Sequence, residues 1–464
     1  PWEPSGEGAN ERAGGRGPES MKFLSKAMAC CALCALCTLA GGLAVRGAAA
    51  QTPAKKRIPG DAEAKALNDL LTAAQEAIGE GDFDAAAKDY QDYLAKKPDD
   101  ATVHFDLGYA YTAMQDSADA KTEYEKAIAL DPKMGVAYQN LGLTLLASNP
   151  AAAVAPLEKA AELLPTDARS KWLLGIALEG TGKNTEALEE YEGAAKLDEK
   201  DPDIRNSLGF ALLKSGRTDD AGKAFQQALA LHPTGATEAQ SHRGLAETLI
   251  AEKNLDAAAA ELETYLEAQP NDADARVERA SALLDLGKDD DALAELDRAA
   301  AIGPEGMHAL KMRSQIYYEK KRYADDVPVL QKAAALDPKD PDIPARLGHV
   351  YLEEKDYADA VTTLTVAQGM DPKANDVLSS LAAAEYLNKN YAAALADYDQ
   401  LATRETLPPG NWFIRATCYD RLGDARNALE NYRKFLELNT DLTSDEYFQA
   451  TARVRTLEHE VGKK

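Results

Sequence analysis

Cysteine is almost missing from the part of this chain that reads as folded. Of the 5 in 464 residues, Cys30, Cys31, Cys34 and Cys37 crowd into one apolar stretch, and only Cys418 lies beyond it. A lone thiol closes no internal disulfide, so a disulfide-stapled scaffold is excluded. Leu33 and Leu36 precede Cys34 and Cys37, and Cys30 lies too near the start of the apolar stretch, which argues against a lipid-modified cysteine. Histidine is equally scarce. His104, His232, His242, His308, His349 and His459 are dispersed, and no two stand at metal-binding helical spacing. His459-Glu460 opens like a zinc-protease helix, but Lys463 stands where the second histidine belongs. There is no glycine-rich phosphate loop, and Cys418 beside Tyr419 on an apolar run reads as a buried thiol. The sequence therefore predicts no catalytic residues, no metal and no cofactor.

Positive charge is the second shortage. The chain carries 52 Lys and Arg against 77 Asp and Glu. Positions 1–50 hold 5 of the former and 4 of the latter, so the remainder has a formal net charge of −26. Such a surface repels phosphate backbones and anionic lipid and attracts basic segments. Nucleic acid is excluded as the expected partner, and protein or peptide partners with basic segments are favoured. Lys55-Lys56-Arg57, held between Pro53 and Pro59, reads as an exposed linker.

Long apolar runs are absent apart from one. Lys22 and Lys26 precede the apolar stretch from Ala27 to Ala40, and Ala48-Ala49-Ala50 offers a small-residue cleavage site before Gln51. Gly41-Gly42 breaks the run and Arg46 follows, which leaves it short for a membrane span. Positions 1–20 are read as an upstream extension before Met21, and 21–50 as a signal peptide. The mature protein is expected to be exported, periplasmic or secreted, with no integral membrane span.

What the chain has in abundance is a repeat. Gly108/Ala120/Pro132, Ala246/Ala258/Pro270, Ala280/Ala292/Pro304 and Gly348/Ala360/Pro372 share one spacing and recur on a period of about 34 residues. Apolar residues fall three and four apart in two runs per unit, as from Val103 to Tyr111 and from Ala120 to Leu130, which makes two amphipathic helices. The turn between them is short and polar, as at Gly216-Arg217-Thr218-Asp219-Asp220, so the helices run antiparallel. Small side chains at Gly108, Ala120 and Ala127 let the backbones approach. Asp131-Pro132, Asp337-Pro338 and Asp371-Pro372 end a pair, because the residue before proline is pushed out of helical geometry.

These positions resemble the tetratricopeptide repeat family. Asp106-Leu107-Gly108-Tyr109-Ala110-Tyr111 and Tyr138-Gln139-Asn140-Leu141-Gly142 carry the first half of its pattern, and Ala120, Tyr124, Ala127 and Pro132 the second. The resemblance implies an all-α, right-handed superhelical solenoid of about eleven antiparallel helix pairs with a C-terminal capping helix. The boundaries are a linker and the start of the first helix at 51–66, units 1–5 at 67–238, units 6–11 at 239–442, and the cap at 443–464. The third unit is one residue short, Pro156 and Pro328 fall in second helices, and extra residues surround Thr234 to Glu238. Arg279, Arg313 and Arg415 replace the family's usual leucine. Thr443 and Glu446 are placed for a capping box, ahead of a stripe formed by Tyr447, Val454, Leu457 and Val461.

The resemblance also implies that first helices line a concave wall that holds an extended peptide or a partner's helix. By register the wall includes Phe105, Tyr109, Asn140, Leu143, Trp172, Ile176 and Phe210 in early units. In later units it includes Arg243, Lys311, Gln315, Tyr318, His349 and Tyr386. Aromatic side chains there suit peptide anchoring, and equally suit packing between neighbouring first helices; both readings stand at this point. The family's carboxylate clamp is incomplete: Asn140 and Arg169 fit, but Phe105, Tyr109 and Leu173 do not. Asp106, Asn140, Leu173 and Ser207 make no asparagine ladder. The expectation is an exported, non-catalytic scaffold for peptide segments or helices of protein partners. The alternative is a non-catalytic accessory subunit of an envelope glycosyltransferase or a polysaccharide or secretion machine. The mature N-terminus is predicted at Gln51, and intact-mass measurement of the exported protein checks it; a chain retaining Met21 overturns the cleavage.

Overall fold

The computed structural model describes residues 60–462, and every regular element among them is an α-helix. The upstream extension, the signal peptide and the linker up to position 59 lie outside the described residues. Helices α1 (Gly60–Glu80) and α2 (Phe83–Leu94) form the first pair, α3 (Ala101–Ala113) and α4 (Ser117–Leu130) the second, and α5 (Gly135–Leu146) and α6 (Pro150–Leu163) the third. Then come α7 (Ala168–Gly180) with α8 (Asn184–Leu197), α9 (Pro202–Lys214) with α10 (Thr218–Ala230), and α11 (Ala236–Ala251) with α12 (Leu255–Ala268). These six pairs make one body, which closes at Pro270.

The second body starts at Asn271. It holds α13 (Ala273–Asp285) and α14 (Asp289–Ile302), α15 (Met307–Glu319) and α16 (Tyr323–Leu336), and α17 (Asp342–Glu353) and α18 (Tyr357–Met370). After these come α19 (Asn375–Leu387) and α20 (Tyr391–Ala402), α21 (Pro409–Arg421) and α22 (Ala425–Leu438), and a closing helix α23 (Asp445–Val461). The chain is thus a solenoid of consecutive helix pairs, as its pattern implies.

One crossing recurs along the chain. A small residue of the first helix lies against a bulky residue of the second: a Cβ on Gly175 would stand 2.6 Å from Tyr191 Cε1, and one on Gly209 would stand 2.6 Å from Phe225 Cε1. Tyr124, Tyr191 and Phe225, which fill these crossings in the first body, are 0% exposed, so they have nowhere to move. Apolar contacts then run on from pair to pair. Leu143, Leu157, Leu173, Leu174 and Tyr191 form one continuous cluster across the third and fourth pairs.

Aspartate punctuates the loops for a stated reason. Asp82, Asp100, Asp116, Asp167 and Asp201 each accept hydrogen bonds from the first free N–H groups of a helix, as Asp167 does from Ser170 N at 2.8 Å. Asp272, Asp356 and Asp424 do the same in the second body. Such caps typically contribute about 1 kcal/mol each. The turn inside most pairs takes one left-handed residue. Gly182 (φ 81°) and Gly216 (φ 78°) supply it, and Lys321, Lys355 and Lys389 adopt it despite their Cβ. In the third pair the missing residue shortens the first helix: α5 has 12 residues where α3 has 13, and its turn at Ser148 has no left-handed residue.

The irregular positions resolve individually. Pro156 and Pro328 lie inside α6 and α16, past the opening turn, and both helices continue through them. Each proline deprives a carbonyl one turn back of its helix partner. The extra residues of the fifth unit enter α11, which starts after Gly235 (φ 64°) and is tied back by Thr237 Oγ1 donating to Asp203 Oδ1 at 2.8 Å. The arginines in leucine positions face carboxylates of second helices. Arg279 donates to Glu295 at 2.6 Å, Arg313 to Asp297 at 2.5 Å, and Arg415 to Asp399 at 2.5 Å.

The capping-box expectation for the closing helix is corrected. Asp441 Oδ1 takes both the N–H (2.9 Å) and the hydroxyl (2.7 Å) of Thr443, so Ser444 becomes the cap and accepts from Tyr447 N at 3.2 Å. Leu457 is 0% exposed, and Val454 and Val461 pack beside it onto Tyr432 and Phe435. Tyr447 instead meets Phe448 edge to face. Because Tyr191 cannot yield, Gly175→Val is expected to lower the unfolding free energy of the first body by about 2–3 kcal/mol. Urea titration followed by far-ultraviolet circular dichroism checks this, and an unchanged midpoint refutes the close crossing.

Candidate peptide-binding wall

In the first body, the residues predicted for the wall are mostly engaged with one another. The Phe105 ring lies 5.8 Å from that of Tyr124, and Phe210 meets Phe225 edge to face at 4.9 Å. Leu143 is a correction: at 7% exposure it belongs to the core between α5, α6 and α7, because its helix turns it toward Leu157. Ile176 packs on that same cluster. Trp172 packs beside Ile204 and Leu208 and donates from Nε1 to Ser207 Oγ at 2.8 Å, so it bridges α7 and α9. Tyr109 and Asn140 are half-buried, as is Arg243, whose Nε donates to Glu247 at 3.4 Å under the ring of Tyr265.

Sequence reasoning missed a set of polar links between successive first helices. Gln139 Nε2 donates to Ser170 Oγ at 2.8 Å and to Asp167 at 2.6 Å. Two units later, Asn206 Oδ1 accepts from Ser241 Oγ at 2.8 Å, and Asn206 Nδ2 donates to Thr237 O at 3.0 Å. The signal was present: an amide at the fifth position of one unit faces a serine at the third position of the next, twice. Asp106 shares this wall, and burial, with Asp100 adding to it, pushes its carboxyl up to about 6.

The wall of the second body is different. Lys311 is exposed and reaches Asp340 at 3.3 Å, and Gln315, also exposed, donates to Glu319 at 3.0 Å. Tyr318 lies edge to face with Tyr323 at 5.5 Å, and the Arg346 guanidinium stands 5.2 Å over its ring. His349 Nε2 is 3.4 Å from Ser380 Oγ, and burial lowers its pKa below the usual histidine value, which keeps it neutral. Tyr386 leans on Tyr391 at 6.1 Å. The wall thus combines half-buried rings with hydrogen-bonding groups open to solvent.

Away from the walls, His104, His242 and Cys418 are held in the fold. His104 and His242 each contact a second-helix carboxylate, Glu123 at 2.5 Å and Glu261 at 2.6 Å. Lys171–Glu190 and Arg276–Glu295, both at 2.9 Å, repeat the same pairing in other units. The Cys418 thiol is buried and pushed up to about 12 by desolvation, so it stays protonated. Among the described residues, no three metal-binding side chains come together, and no helix is long and apolar enough to cross a membrane.

A helical-repeat solenoid of consecutive antiparallel helix pairs is the class this geometry defines. The chain belongs to the tetratricopeptide repeat superfamily: models of that repeat match residues 71–135, 140–203, 172–236, 212–276, 277–341, 317–384 and 409–442. Among solved structures, MamA from Desulfovibrio magneticus RS-1 is 23% identical, over 36% of this chain and 94% of its own, with a TM-score of 0.35. Yeast Tom70 is 14% identical over 86% of this chain and 96% of its own, with a TM-score of 0.31. PilW, described as a type IV pilus biogenesis factor, is 18% identical over 44% and 94%, with a TM-score of 0.39. Likeness at this level says nothing of partners. Trp172→Ala is expected to cost the first body about 3 kcal/mol, since it empties a packed site and removes the hydrogen bond to Ser207 Oγ, which keeps only its own bond to the Asp203 carbonyl. A urea midpoint equal to that of the parent protein would return Trp172 to the list of open anchors.

Proposed function

We propose that this protein is an exported, non-catalytic scaffold that holds polypeptide segments against its first helices. The observation that carries the reading is the wall of α15 and α17. Lys311 and Gln315 stand exposed there beside the half-buried rings and cation of Tyr318 and Arg346. An extended peptide offers carbonyls, amides and side chains at close intervals, and this mixture of aromatic area and hydrogen-bonding groups matches it. Tetratricopeptide repeats are typically protein-interaction scaffolds, which supports the class of partner. The non-catalytic reading is supported by the family, whose repeats are typically interaction scaffolds. Export rests on the sequence between Met21 and Ala50.

The acidic surface favours partners with basic segments and gives them long-range attraction. A photo-crosslinking amino acid placed at Gln315 is expected to trap partner polypeptide in the exporting cell. The same group at Val366, which is 53% exposed on second helix α18, serves as the control. Yields should fall as salt rises, because attraction between exposed charges is screened. Equal adducts at both positions, or adducts at Val366 alone, would remove the first-helix wall as the binding face.

A further inference from the structure

Every pair but one places alanine where its second helix crosses the first. The second body has Ala292, Ala360, Ala394 and Ala428 there, each 0% exposed, and all six pairs of the first body also carry alanine. The eighth pair carries Asp326, likewise 0% exposed. Neither of its carboxyl oxygens has a hydrogen bond of normal geometry; Ser314 Oγ, facing it from α15, makes a weak one that steadies the charge without offsetting burial. Ser314 occupies the small-residue position that Gly348 and Ala382 fill in the next two pairs. A buried polar group without a partner costs free energy, and a buried charge costs more.

The surroundings only partly compensate. From α15, Tyr318 feels the Asp326 charge as well as that of Glu353, and from α17 comes the cation of Arg346. Arg346 Nη2 donates to the Ser314 carbonyl at 3.3 Å, its guanidinium lies over Tyr318, its buried Nε finds no hydrogen-bond acceptor, and no ion pair joins it to Asp326 among the described residues. On α16 itself, Tyr323 interacts with Glu353. Desolvation outweighs Ser314 and Arg346, and pushes the Asp326 carboxyl up to about 6.

We propose that Asp326 makes the eighth unit a proton-controlled joint: its two helices close tightly when the carboxyl is protonated and loosen when it ionises, so the second body opens first between α15 and α16. In the opened unit an exposed aspartate titrates near about 4. Below that pH both forms hold the proton and closure loses nothing. Between there and about 6 the opened form alone releases it, so closure weakens as pH rises, and the loss is complete above about 6. Acidification tightens this joint, opposite to the direction set by an ion-paired carboxylate.

Backbone hydrogen exchange of the full chain, corrected for the intrinsic pH dependence of exchange, tests the joint. Between pH 5 and 7, protection of positions 307–336 should fall by about tenfold relative to the other pairs of the second body. Asp326→Ala should abolish that fall and be better protected than the parent at pH 7. Asp326→Asn, which keeps the polar volume without the charge, should be equally flat with pH. A pH profile for Asp326→Ala matching the parent's overturns the proposal. So does a variant less protected than the parent at pH 7, since the carboxylate would then be a required partner of Arg346.

Discussion

The structure depends on how closely two helices pass within each unit. An alanine on the second helix and a glycine, alanine or serine on the first bring the backbones together, and one bulky residue such as Tyr191 or Phe225 closes the space beside them. The turn must then be short enough to reverse the chain at that separation, which explains the left-handed residue at Gly182 and Gly216 and its adoption even by lysine. Once this contact is set, each pair exposes an apolar face that only the next pair can cover, and the solenoid follows. The stability of such an array is a sum of local terms, so one changed crossing acts where it stands.

Charge serves this arrangement more than the acid excess suggests. Many aspartates are helix caps, and many glutamates on second helices receive a basic residue from the first. Glu295 is 1% exposed and takes Arg276, Arg279 and Arg298 together. A buried carboxylate is tolerable when surrounded in this way and costly when it is not. Glu295 and Asp326 show the two cases one pair apart, the first under three guanidinium groups and the second with none in ion-pair contact.

The helix pairs were legible because the requirement that makes them is written in small residues at fixed spacing. Gly108, Ala120 and Pro132 each state one geometric fact: a close approach, a crossing, an end. Depth was not legible. Periodicity gives the face of a helix on which a residue lies, but not whether the neighbouring helix covers that face, so Leu143 read as wall and is core, and Trp172, for which anchoring and packing were both open, bridges two helices. The cap at Ser444 was missed by one residue because Asp441 competes for Thr443, an interaction that depends on the path of the loop. The destinations of Arg279 and Arg415 were hidden for the same reason: their carboxylates lie on other helices.

These differences bear on where a partner finds contact. An aromatic ring contributes to binding through the area it still has to lose, and Phe105, Phe210 and Trp172 have already placed much of theirs against Tyr124, Phe225 and Ile204. The first body therefore presents a wall stiffened by its own rings and by the links from Gln139 and Asn206. The second body leaves Lys311 and Gln315 exposed to solvent, each bonded only to an acidic side chain, and Tyr318 and Arg346 belong to the same pair of first helices. In a chain this acidic, cations that line a wall instead of sealing a crossing give the strongest reason to look for recognition there.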